Sequence, residues 1–76
     1  MAGEEQDRLA LRLRELLVEA RNARGMTQTD LAKALGRTQT YVSNYERGER
    51  RVGVVDFILI ARALKAEPVE LLRQVD

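Results

Sequence analysis

Three glycines, Gly25, Gly36 and Gly48, each close an apolar run of helical spacing, so the middle of this chain is limited to short helices joined by tight turns. Leu9, Leu13, Leu16, Leu17 and Ala20 recur at spacings of three and four, which predicts a first helix from about Glu5 to Arg24, ended by Gly25. Thr27 with Asp30 forms a capping box for a second, short helix whose buried face is Leu31, Ala32 and Leu35 and whose stop is Gly36. Thr38 caps a third, predicted from about Gln39 to Arg47, with Val42 and Tyr45 inward and Gln39, Thr40, Ser43, Asn44 and Arg47 on its other face. A fourth helix is expected from Gly53 to about Leu64. Pro68 suits the first position of a fifth, where its missing donor would have been unpaired anyway, and Val69, Leu71, Leu72 and Val75 give it apolar contacts. No strand pattern, repeat or low-complexity segment interrupts this series. The expected fold is an all-α, five-helix globule.

At 76 residues the chain is expected to be one small domain over 1–76, with residues 1–4 flexible and no room for an effector domain. A domain this short buries only about 60% of its unfolded surface, so its stability is modest or helped by a partner. It has no cysteine and no histidine, which excludes disulfides, the usual zinc sites and the commonest general base; no metal and no cofactor are expected. No apolar run approaches the roughly 18 residues of a membrane span, and the start Gly3-Glu4-Glu5 lacks the basic opening of a secretory signal. The expectation is a protein of the reducing cytoplasm with no membrane partner.

The net charge of +1 conceals an asymmetry. From Ala20 to Gly53 there are seven bases (Arg21, Arg24, Lys33, Arg37, Arg47, Arg50, Arg51) against three acids, or +4, while the flanks carry six bases against nine acids, or −3. A basic centre on a nearly neutral chain suits a polyanion bound by one face, though arginines also simply solvate helices.

The stretch TQTDLAKALGRTQTYVSNYER, from Thr27 to Arg47, reads as short helix, glycine-containing turn and second short helix with a polar outer face: a helix-turn-helix. The chain resembles the DNA-binding domains of the lambdoid phage repressors and Cro, the xenobiotic-response-element type, over about Leu13 to Leu72. The resemblance rests on an ordered set of matches: Arg21, Gly25 with Met26-Thr27-Gln28, Leu31-Ala32, Leu35-Gly36, Tyr41-Val42-Ser43, Glu46 with Gly48, and Ile60-Ala61 with Leu64. It implies a bacterial or phage-encoded regulator with the third helix in the major groove of double-stranded DNA.

By the same resemblance, Gln39, Thr40 and Asn44 match base-contacting positions, with Ser43 a weaker candidate. An Asn or Gln amide can donate to and accept from an adenine edge at once, and a threonine methyl can meet that of thymine. Gln28 matches a position that touches phosphate and braces the recognition helix, and Thr38 a phosphate contact made from a helix start. Arg47, Arg50 and Arg51 extend along the backbone without reading sequence. Tyr41 has two readings, packing beside Val42 or contact with the sugar-phosphate chain. Arg21 and Glu46 match a structural ion pair. Tyr45 and Phe57 are assigned to the core, and Lys33 and Arg24 to the solvated surface.

The fourth helix departs from the family. Val55 and Leu59 stand where relatives commonly carry polar residues, and VVDFILIA is apolar nearly all round. The expectation is a homodimer through this helix and the C-terminal segment, with Val55, Ile58, Leu59, Leu72 and Val75 at the seam; the alternative is that the long first helix covers the surface with Leu9 or Leu11. The leading function is a dimeric transcriptional repressor on a palindromic operator. The runner-up is a protein-interaction module, an antitoxin or co-regulator, that uses the same apolar helix. Enzymatic activity is not expected, because Asp30, Glu46 and Asp56 are single carboxylates without a nucleophile or phosphate-cradling loop beside them. Three aromatics, two of them assigned to the core, provide no stacking platform for single-stranded RNA.

Overall fold

The computed structural model describes residues 2–76. It contains five helices and no strand among them: α1 (Ala2–Ala23), α2 (Gln28–Leu35), α3 (Gln39–Glu46), α4 (Val54–Ala63) and α5 (Pro68–Val75). The all-α architecture is the one expected. Met1, part of the segment expected to be flexible, lies outside the described residues, and α1 begins at Ala2 rather than near Glu5. Two causes favour the longer helix: Ala2 is a strong helix former, and Glu4 and Glu5 place negative charge in the first turn, at the positive end of the helix dipole.

The other boundaries follow local chemistry. At the start of α2 the Asp30 N–H donates to Thr27 Oγ1 at 3.0 Å and the Thr27 N–H to Asp30 Oδ2 at 2.9 Å, the reciprocal capping box. That backbone N–H is also what holds the Asp30 carboxyl below its ordinary pKa. Gly36 closes α2 at φ 67°, a left-handed conformation that costs a residue with a Cβ about 1–2 kcal/mol. Thr38 Oγ1 accepts from the Tyr41 N–H at 3.2 Å and opens α3. Arg47 caps α3 instead of forming its last turn.

α2 packs on α3 as the helix-turn-helix, α1 spans the back of α3 and α5, and α4 lies against α2 and α5. The core where they meet comprises Leu16, Leu17, Leu31, Ala32, Tyr41, Val42, Tyr45, Phe57, Ile60, Ala61, Leu64 and Leu71. Every aromatic of the chain is in it. Leu35, assigned to the buried face of α2, is only partly covered. In α5 only Leu71 is buried, with Val75 partly so; Val69 and Leu72, expected to make apolar contacts, face outward.

Candidate nucleic-acid interface

The outward face of α3 is built against a buried one. Tyr41, Val42 and Tyr45 anchor the helix, which leaves Gln39 and Thr40 exposed and Ser43 and Asn44 partly covered on the opposite side. A short amphipathic helix held this way offers its polar side chains without movement of its backbone.

Behind α3 runs a hydrogen-bonded relay that joins three helices. Arg21 of α1 donates to both oxygens of Glu46, Nε to Oε2 at 2.7 Å and Nη2 to Oε1 at 3.0 Å, and its Nη1 donates to the Met26 carbonyl at 2.8 Å. The two side chains are 12% and 7% exposed, so this is a largely desolvated pair. Its hydrogen bond to Glu46 raises the Arg21 guanidinium above its ordinary pKa, against the lowering effect of burial. Gln28 of α2 donates from Nε2 to Glu46 Oε1 at 2.8 Å, and Gln39 donates from Nε2 to Gln28 Oε1 at 2.6 Å.

The polarity of this relay is forced. A carboxylate has no proton to give, so Gln28 must turn its NH2 to Glu46 and its carbonyl to Gln39. Gln39 must therefore donate to Gln28. Its own carbonyl and second N–H are left on an exposed side chain, an acceptor and a donor side by side.

Further along α3, Arg47 folds back over its own helix. Nη2 donates to Asn44 Oδ1 at 2.7 Å and to Glu49 Oε2 at 2.8 Å, and Nη1 donates to Ser43 Oγ. The structure thus groups Arg47 with Ser43 and Asn44, two of the candidate base readers. Arg51 is exposed on the loop before α4. Tyr41, for which packing and phosphate contact were both open, is 8% exposed and meets Tyr45 edge to face at 5.7 Å. Burial, then its hydrogen bond to Asp56, push its phenol up from the ordinary value.

Arg37, given no individual role from the sequence, also belongs to this surface, beside Arg50. Arg37 lies 4.4 Å from the Tyr41 ring centroid and within 3.4 Å of Asp56, while Arg50 covers the same ring at 5.1 Å. A basic residue directly after the Gly36 stop was the only available signal for Arg37, and nothing local connected it to an aromatic in the next helix.

On the far side, α4 and α5 expose Val54, Val55, Leu59, Val69 and Leu72, with Val55 70% and Leu59 48% accessible. Ile58 and Val75, assigned to the same seam, are partly buried and pack against the core. The long α1 does not shelter this surface, and its own Leu11 is 48% exposed.

The helix-turn-helix family matches residues 17–71, most of the chain. An XRE-family like protein from Pseudomonas syringae superposes with a TM-score of 0.94 at 38% identity, covering 97% of this chain and 90% of that one. The restriction-modification controller protein C.AhdI from Aeromonas hydrophila follows with a TM-score of 0.74 at 39% identity, over 82% and 94% of the two chains. An uncharacterized HTH-type transcriptional regulator of Sinorhizobium fredii is 42% identical over 50 residues, which are 66% of this chain but only 35% of that protein. The chain therefore spans about a third of that relative's length.

Proposed function

Because the chain belongs to the helix-turn-helix family of lambda repressor and Cro type, whose members are DNA-binding transcription regulators, we propose that it binds double-stranded DNA sequence-specifically through α3 and represses transcription by occupying a promoter. One observation carries the reading: the relay from Arg21 through Glu46 and Gln28 presents the Gln39 amide with carbonyl and N–H outward. That pair matches adenine, whose N6 donates and whose N7 accepts in the major groove. Thr40, Ser43 and Asn44 complete the reading face. Gln28, Thr38, Arg47, Arg50 and Arg51 take the flanking phosphates, with Tyr41 contributing mainly by holding α3. Residues 1–76 act as one domain, in the cytoplasm.

The exposed valines and leucines of α4 and α5 support a homodimer. A two-fold pair would set its recognition helices about 34–36 Å apart, on half-sites of a near-palindrome. Val55, Leu59 and Leu72 would lie at the seam, with Val69 beside them and Ile58 and Val75 as its edge. The same surface supports a second reading, in which it holds a different protein, as an antitoxin or co-regulator does.

Selection of bound sequences from random duplex DNA, with wild type beside a Gln39→Ala, Asn44→Ala double variant, tests both. A palindromic motif lost in the variant is the expected result, each side chain accounting for about 1–3 kcal/mol of discrimination. With about four phosphates neutralised per subunit, the log–log salt slope of a dimer should be near −7. A motif that survives the double variant refutes the assignment of α3, and a slope near −2 refutes the basic centre as the footprint. Sedimentation of Leu59→Glu tests the dimer, which should fall to monomer.

A further inference from the structure

A cleft of about 220 Å³ opens between α1 and the loop that joins α3 to α4, away from the outer face of α3. Ala10, Leu13 and Val52 give it an apolar lining, and Gly48 contributes bare backbone. Three arginines line it, Arg14, Arg50 and Arg51, against the single carboxylate of Asp7, with the Arg50 guanidinium also stacked on the Tyr41 ring. None of the three is ion-paired among the described residues, a condition they share with Arg24 and Arg62, whereas Arg8, Arg12, Arg21, Arg37, Arg47 and Arg73 all are.

Arg14 lies close against the backbone at one edge of the cleft. Gly48 has φ 81°, and a Cβ at that position would come within 2.7 Å of Arg14 Cζ, so the guanidinium lies close over this glycine and would have to shift for any other residue. Its Nε is buried and has no hydrogen-bond acceptor in the protein. That atom is closed to solvent, so an anion in the cleft would be met by the two terminal nitrogens, which have no acceptor among the described residues either. Three arginines without a carboxylate partner along one small cavity match an oxyanion with several oxygens, and phosphate satisfies more of their donors than a carboxylate does. Gln6 and Asp7 at the rim add acceptors for hydroxyl groups.

We propose that this cleft binds a small phosphate monoester carrying hydroxyl groups, and that the bound ester competes with DNA. The competition rests on the assignment of Arg50 and Arg51 to the DNA backbone, since neither can neutralise a ligand phosphate and a DNA phosphate at once. The occupancy of the cleft does not depend on that assignment.

Amide NMR titration of the DNA-free protein with glycerol phosphate and with inorganic phosphate, at ionic strength balanced with chloride, tests the site. Saturable shifts are expected over residues 6–14 and 48–52, with the ester binding more tightly than inorganic phosphate. Ala10→Glu, at an exposed helical position on the cleft wall, brings a tethered carboxylate into the cavity without touching the core and should abolish the shifts. Arg14→Lys keeps the charge but loses the fork, and should weaken binding by roughly tenfold. Linear shifts spread equally over other surface arginines, or saturable binding that Ala10→Glu leaves intact, overturn the site. In a second arm, glycerol phosphate at saturation should weaken operator binding of the wild type but not of Ala10→Glu; equal weakening of both overturns the competition. A wild type that binds no duplex at all refutes the DNA reading alone, because the first arm is read without DNA.

Discussion

Glu46 sits where stability and base reading meet, and Glu46→Gln separates its charge from its shape. The substitution keeps the volume but leaves Arg21, 12% exposed, with the Met26 carbonyl and at most one acceptor where it had two. Breaking a buried pair from one side costs about 3–5 kcal/mol, and the slight exposure of both side chains favours the lower end. A chain of 76 residues has a total stability of about 4–11 kcal/mol, so a loss of about 3 kcal/mol is a large fraction of it. At about 4–8 °C per kcal/mol, the melting midpoint should fall by about 12–24 °C, read by circular dichroism. Replacing both partners, Arg21→Met with Glu46→Leu, removes the stranded charge and should recover part of the loss. Binding measured in the cold, where the single variant is folded, should show a second effect. An amide at position 46 can meet Gln28 with either end, so Gln39 is no longer forced to turn its carbonyl outward, and preference for adenine at its base should relax. A midpoint within about 4 °C of wild type, equivalent to less than about 1 kcal/mol, would falsify the claim that this pair holds α1 to α3.

The hydroxyl of Tyr45 is buried without a hydrogen-bond partner, so Tyr45→Phe should be neutral or stabilise by up to about 1 kcal/mol in urea unfolding; a clear loss would reveal a partner for that oxygen. Burial, the largest influence on both tyrosines, raises their phenols above the ordinary 10.0. The native state therefore keeps its protons where the unfolded chain loses them: this contribution is intact below about pH 10 and declines as pH rises beyond it, and tyrosinate absorbance should appear together with unfolding. Lys65 occupies φ 58° in the turn between α4 and α5, and Lys65→Gly should raise stability by about 1 kcal/mol; a fall in the melting midpoint would show that the lysine side chain matters more than its backbone strain. Glu49→Gln frees Arg47 from a carboxylate 2.8 Å away, and affinity for all duplexes should rise together; a change confined to one sequence would mean that Glu49 acts on reading and not on charge.

The helix pattern was legible in the sequence because each boundary is a local event. A threonine cap, a glycine stop or a proline at the first turn is decided by atoms a few residues apart, and α2, α3 and α5 begin at Gln28, Gln39 and Pro68 as the caps predict. The start of α1 was less legible, since no capping residue marks it and only weak dipole and propensity effects carry the helix back to Ala2. The polar face of α3 and the exposure of Val55 and Leu59 were readable from spacing and from the family frame. Ile58 and Val75 were not separable from them, because helical periodicity gives a face but not the neighbour that covers it.

What only the tertiary structure decided are relations among side chains distant in sequence. Gln28 and Gln39 are polar residues eleven positions apart, and nothing in either predicts that one turns the amide of the other; that follows from Glu46, itself held by Arg21 from a third helix, accepting from Gln28. Likewise, Gly48 reads as a helix stop, while its closeness to the Arg14 guanidinium exists only once α1 crosses the end of α3. Caps and stops depend on backbone groups that the chain brings to itself. Orientation of a side chain depends on which donor and acceptor meet it from elsewhere, and packing alone supplies that.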